Sequence, residues 1–242
     1  RASRRADAIL THYRTAQDRL VHDAVEQTHL STMTLLRLDT ERGTVTVSLG
    51  MAAGFYREAE GGLSLALDGV PVAAMGLSIV KPEHLGLDGR DPCLWIGLMK
   101  SLSKGADSLE RSRLVTKALR GLRPKAALLL VAQEIARALN LTAIYAASND
   151  GMVFSGYAGL KKRVLADYDQ FWEESQGERL SRDVFRLPLT KPVRDLSTYP
   201  ANKRSQIRNR QLLEAEMKAT LSEVFRTLTA TAQSSDTDPL GA

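Results

Sequence analysis

The sequence predicts an α/β (α+β) fold, with a mixed, mainly antiparallel sheet, helices on both faces and helical extensions at the N- and C-terminal ends. Three observations predict it. Apolar runs at residues 63–67 and 72–80 flank Asp68-Gly69, a pair that suits the two left-handed positions of a tight hairpin turn. A strong helix pattern over residues 126–139 leads almost at once into the apolar stretch 142–147. A helix returning to a strand this quickly suggests a crossover onto a mixed sheet. The composition, 43% hydrophobic and 25% charged, is that of a globular chain.

The elements follow in order. Ala6, Ile9, Leu10, Tyr13, Leu20 and Val25 recur at helical spacing, so the first thirty residues read as a helical segment. Residues 44–49 alternate and are β-branched, which predicts a strand. The hairpin comes next, and Pro71 starts its second run, where a missing N–H is tolerated. Residues 81–92 form a loop, 94–99 a strand and 104–119 a basic helix. Pro124 falls in the first turn of the helix that follows, and Asn140 stops it. Residues 167–175 make a short amphipathic helix, 184–189 a strand that Pro188 assigns to an edge, and 207–228 a second long helix. The expected organisation is a helical segment at 1–30, a core at 40–190, a connection and long helix at 191–229 and a flexible tail at 230–242.

Composition narrows the function classes. No apolar run reaches the ~18 residues of a membrane span. One cysteine, Cys93, cannot make an internal disulfide and excludes Cys-rich zinc sites, which suits a reducing cytoplasm. No apolar signal-peptide core follows the charged start. Lys plus Arg is 33 against 28 Asp plus Glu, a net charge of +5, so an anionic partner is expected. There is no Walker loop, no Rossmann glycine fingerprint, no Gly-x-Ser-x-Gly elbow and no His-Glu-x-x-His. No metal site is expected.

Several side chains are candidates for chemistry. Arg120, Arg123 and Lys125 gather where the 126–139 helix begins, where free N–H groups and the helix dipole favour an anion; a solvated basic loop is the competing reading. Glu58, beside Arg57 and Glu60, precedes a strand and is placed to act as a general base, or else forms a local ion pair. His12, next to Tyr13, is a second candidate base or a structural histidine. Asn149 follows the end of a strand, where ligands meet a sheet, although Asn149-Asp-Gly is equally a plain turn. Lys203, Arg204, Arg208 and Arg210 form a basic run for RNA, an acidic carrier protein or anionic lipid, against a solvated charged face.

Two resemblances add to this reading. His12-Tyr13, Arg57-Glu58-Ala-Glu-Gly-Gly-Leu-Ser-Leu, Thr116-Lys-Ala-Leu-Arg-Gly-Leu-Arg-Pro-Lys, Ala166-Asp-Tyr-Asp-Gln-Phe-Trp-Glu-Glu, Arg194-Asp-Leu-Ser and Asn202-Lys-Arg together resemble the VirK/YbjX family of bacterial proteins along nearly the whole chain. Members of that family are associated with virulence and antimicrobial-peptide tolerance. The order of elements over about residues 60–190 also resembles the GNAT acyltransferase fold. Arg120-Gly-Leu-Arg-Pro-Lys-Ala stands where that fold has its pyrophosphate loop, but the loop's second glycine is missing and Pro124-Lys125 replaces it. Trp172 occupies a position that often carries a general-acid tyrosine, and Tyr168, one turn earlier, is the substitute; Tyr168, Phe171 and Trp172 also read as one amphipathic face. The resemblance implies an acyl- or aminoacyl-transferase with a phosphate-bearing donor, acyl-CoA, an acyl-carrier-protein phosphopantetheine or a tRNA-type donor, and an amine or hydroxyl acceptor. The alternative is a non-catalytic binding or regulatory protein of the VirK/YbjX type.

Overall fold

In the computed structural model, the described residues are 2–51, 58–102, 107–152, 167–193 and 195–229. The tail at 230–242 and Arg57 lie outside them. Two helices, α1 (Ala2–Arg19) and α2 (His22–Leu30), open the chain. Five strands follow: β1 (Thr32–Thr40), β2 (Gly43–Met51), β3 (Gly61–Leu67), β4 (Val70–Val80) and β5 (Cys93–Ser101). Then come α3 (Asp107–Ala118), α4 (Pro124–Ala138), β6 (Ile144–Ala147), α5 (Tyr168–Glu174), β7 (Glu178–Arg179), β8 (Val184–Leu187) and α6 (Ala201–Leu228).

The eight strands form one sheet in the order β1-β2-β3-β4-β5-β6-β8-β7. Only β5 and β6 run parallel among these neighbours, and α4 lies in the crossover between them. The expected mixed, mainly antiparallel sheet with flanking helices is therefore found. The hairpin at Asp68-Gly69 is also as expected: both residues have positive φ, 50° and 76°, and β3 pairs with β4 across them.

Two strands differ from the sequence reading. β1 is a strand that the sequence reading leaves unassigned. Its burial alternates except at Leu35 and Leu36, both buried, where the register with β2 shifts at a bulge. The bulge breaks the period-two signal by which a half-buried strand is recognised. β8 is not an edge strand: the two-residue β7 pairs outside it, and Pro188 lies just past its end, where no ladder N–H is needed. The helix expected at 207–228 starts earlier, at Ala201, so most of the basic run lies within its first turns.

The packing centres on α4. Residues 127–136 are all buried, Gln133 and Glu134 among otherwise apolar side chains, so this helix is covered on every side. Its inner face meets β4 and β5. α6 covers it with Leu213, Met217, Leu221 and Phe225, four residues apart along one helix face. On the opposite face of the sheet, Ala8 of α1 packs with Val80, Cys93, Tyr145 and Val184. The two ends of the described chain are joined: Val21 donates its N–H to the Leu228 carbonyl, and the Arg19 guanidinium donates to the Leu139 carbonyl at the end of α4.

Replacing Leu221 by alanine leaves a cavity between α4 and α6 and is expected to lower stability by ~2–5 kcal/mol. Leu212→Ala, at a residue 57% exposed on the same helix, should stay within about 0.5 kcal/mol of the parent. Urea denaturation of both variants checks the assignment of the covered face.

Candidate functional site

The local geometry of β5 organises the site. Its register with β4 slips between Gly76 and Leu77, so Gly97 is an extra residue, a bulge. Parallel pairing with β6 runs over residues 94–96 opposite 144–146. Beyond the bulge β5 continues to Ser101, whereas β6 ends at Ala147. A side chain at Gly97 would collide with the backbone carbonyl of Glu58, so only glycine lets the buried Glu58 segment lie against the bulge.

α5 sits where β5 and β6 part. Its buried Tyr168 donates its hydroxyl to the Met99 carbonyl of β5. Its buried Trp172 donates Nε1 to the Ala147 carbonyl of β6 at 2.9 Å. Burial, and secondarily the nearby Glu58 charge, pushes the Tyr168 phenol up to about 12, so it keeps its proton. Asn149 holds α5 in place. Its Oδ1 accepts the Tyr168 N–H at 2.9 Å, its Nδ2 donates to Asp167 at 3.0 Å, and its N–H donates to Asp169 at 2.7 Å. Asp167 caps the helix by accepting the Gln170 N–H. Asn149 therefore makes the turn-and-cap interactions that its sequence context allowed.

A cleft of about 440 Å³ lies beside this junction. Arg123 and Lys125 line it from the start of α4, Ser101 from the end of β5, and Gln170, Phe171 and Glu174 from α5. Arg123 is the N-cap residue of α4 and Pro124 fills the first position, so the helix start offers fewer N–H donors than a glycine loop would. The Lys125 ammonium lies 5.3 Å from the centre of the Tyr168 ring, and burial lowers its pKa. Arg123 faces Glu174 at 3.5 Å.

The other expected residues are dispersed. Arg120 is exposed and lies outside this lining. With φ 51° it reverses the chain after α3, together with Gly121 at φ 92°. The His12 Nδ1 accepts the Ile79 N–H at 3.0 Å and so satisfies a β4 donor beyond the end of β3. Its ring packs edge-on against Tyr13 at 5.1 Å. Glu60, near Glu58, pairs with Arg5 at 2.9 Å. Arg204 donates to the Tyr199 and Ser197 carbonyls and braces the turn before α6, while Lys203 and Arg208 are exposed. Arg210 turns toward Glu214, so the basic run does not act as one patch.

One cluster was not anticipated. Asp7, Glu83 and His84 place ligand atoms within 4.8 Å of one another. His84 Nδ1 accepts the Lys81 N–H at 3.1 Å, which leaves the hydrogen on Nε2, directed at Asp7 2.7 Å away. Both ring nitrogens are thereby engaged, and the trio reads as a clasp between α1 and the turn after β4.

Comparison with known proteins places this geometry in a family. A family model described as "Protein of unknown function (DUF535)" matches residues 1–223. The chain belongs to the DUF535 family. A curated relative, "Uncharacterized protein YbjX" of Escherichia coli (strain K12), is 27% identical over 113 residues, which cover 46% of this chain and 34% of that protein. The matched stretch thus spans about a third of YbjX. No solved structure matches. The VirK/YbjX likeness read from the sequence agrees with both findings.

In this DUF535 chain the sequence reading missed Ser101, Gln170 and Glu174 as cleft residues. A serine at a strand end and polar residues on a short helix carry no signal of their own; the parting of β5 and β6 brings them together. No helix among the described residues is long and apolar enough to cross a membrane.

Burial, with His29 adding to it, lowers the His12 pKa from 6.5 to about 4. Between these values the unfolded chain binds more protons than the folded one. The His12 contribution is therefore full above about pH 6.5 and is lost as the pH falls toward about 4. His12→Gln keeps an acceptor for the Ile79 N–H and should flatten the stability profile across that window, as read by thermal unfolding. Asn149→Ala removes the side-chain bonds to Tyr168 and Asp167 and is expected to cost ~1–3 kcal/mol, with loss of protection at α5 amides in hydrogen exchange.

Proposed function

We propose that this protein transfers an acyl or aminoacyl group from a phosphate-bearing donor to an amine or hydroxyl, on a core of the GNAT acyltransferase kind. One observation carries the reading: β5 and β6, the only parallel pair among the described strands, part after a bulge, and the intervening helix α4 begins beside the parting with Arg123 and Lys125 in a cleft. The helix dipole and two cations suit a phosphate, and the Arg123 guanidinium can bind it through two parallel hydrogen bonds. A phosphopantetheine arm fits such a set better than a pyrophosphate, because Pro124 withholds one N–H from the cradle.

The donor, when bound, supplies the acyl group and its leaving thiol or hydroxyl. Glu58 takes a proton from the attacking amine or hydroxyl. The leaving thiolate or alkoxide takes up the proton that Glu58 accepted, which balances the transfer and returns the carboxylate, while Tyr168, the candidate acid of the sequence, keeps its proton against the Met99 carbonyl at the end of β5. His12, its Nδ1 engaged by Ile79, serves the fold. Exposed Lys203 and Arg208 are the residues of the basic run that remain suited to an acidic carrier protein, with RNA and anionic lipid as the other anionic surfaces they would meet.

One observation favours a second reading, a non-catalytic binding or regulatory protein. Tyr168 and Trp172 fill the gap between β5 and β6, and a donor must lie at its mouth or displace Tyr168.

The test is titration with acyl-CoA and with acylated carrier protein. Arg123→Glu with Lys125→Glu is expected to weaken donor binding by at least about tenfold, roughly one lost charged contact. Glu58→Gln should bind donor like the parent and lose about 100-fold in transfer rate. Donor binding that ignores the charge reversal would overturn the assignment of this cleft. A parent protein that binds neither donor would support the second reading.

A further inference from the structure

A second cleft, of about 360 Å³, opens on the other side of the Arg123–Glu174 pair, between α4, α5 and α6. Its volume falls in the ~300–1,000 Å³ range of small-molecule sites. Leu129 and Leu130 of α4 and Phe171 of α5 give it an apolar floor. Lys191, Arg210 and Lys218 line its wall.

The charges in that wall do not cancel. Arg123 is matched to Glu174. Glu214 presents Oε1 to two cations, Lys191 at 2.8 Å and Arg210 at 3.9 Å, and its side chain is only 12% exposed. One carboxylate neutralises one of them. Lys218 adds a further cation and has no carboxylate within ion-pair distance among the described residues. The Arg210 Nε, the atom that faces Glu214 at 3.9 Å, is buried and too far from it for a hydrogen bond, and has no other hydrogen-bond partner among those residues. A desolvated N–H on a charged group is unfavourable when left unmatched. An oxyanion in the cleft would neutralise the surplus at Lys218 and the partly exposed Arg210 guanidinium, while the leucine and phenylalanine floor would take an apolar body.

We propose that the cleft between α4, α5 and α6 binds an amphipathic anion, a single phosphate or carboxylate head on an aliphatic body. This site adjoins the first cleft, sharing Arg123, Phe171 and Glu174 with it, and does not depend on the transferase reading. A fatty carboxylate and an alkyl phosphate share the required chemistry. RNA and membrane surfaces do not suit an enclosure of this volume.

The experiment is calorimetric titration of the full chain with decyl phosphate, decanoate and inorganic phosphate. Decyl phosphate or decanoate, or both, should bind, the tighter of the two identifying the head group, and inorganic phosphate should bind more weakly than either ligand that does bind. Arg210→Gln is expected to weaken the tighter ligand by about tenfold or more, and Lys218→Gln by about threefold. Lys218 is on the helix surface, so that variant keeps the test open if Arg210→Gln does not fold. Arg208→Gln, exposed on the same helix and outside the cleft, should bind like the parent. The proposal is overturned if neither alkyl ligand binds, if inorganic phosphate binds as tightly as both, or if Lys218→Gln and a folded Arg210→Gln bind like the parent. Equal weakening by Arg208→Gln would also overturn it, by showing attraction to general positive charge.

Discussion

The burial of α4 on every side is the constraint on which the rest of the structure depends. A helix as largely apolar as α4 cannot lie on a sheet with its outer face in water. α6 is the answer to that exposure, with a row of large side chains spaced four apart along α4. Covering α4 brings the end of α6 to the end of α1, where Leu228 accepts the Val21 N–H and Arg19 reaches the Leu139 carbonyl that caps α4. The same burial fixes where α4 starts, and so places Arg123 and Lys125 beside the end of β5. Both clefts border this one helix start, one on either side of the Arg123–Glu174 pair.

Many polar groups that stand out in the sequence are spent on holding the fold. Asn149 clasps α5, His12 satisfies a strand N–H, His84 ties α1 to a turn, and Arg204 braces the approach to α6. Each is engaged because a partly buried backbone or side-chain group needs a partner, and leaving it unmatched would cost more than the bond returns. The residues with charge in excess of local need are fewer. Among them, Lys125 at the start of α4 and the three cations around Glu214 border cavities.

Legibility differed between fold and site for the same physical reason. The Asp68-Gly69 turn, the α4 pattern and the β6 strand were readable because turn chemistry and periodicity act within a few residues. β1 was not, because the bulge at Leu35 and Leu36 broke its alternation; nor was the position of β8, because a strand of two residues, β7, has no pattern to read. Within the cleft beside the end of β5, Arg123 and Lys125 were readable as cations at a helix start. Arg120, three residues before Arg123, was not separable from them: its left-handed φ turns it away from the lining.

The sequence by itself determined the class of fold, the hairpin, the crossover helix, a basic helix start and the family to which the chain belongs, all of which rest on local spacing or on ordered short motifs. Tertiary structure alone decided the parting of β5 and β6 at Gly97, the filling of that gap by Tyr168 and Trp172, and the meeting of Lys191, Arg210 and Lys218 over an apolar floor. These join residues far apart in the chain. Their proximity follows from strand register and helix packing, and neither quantity is carried by any single stretch of sequence.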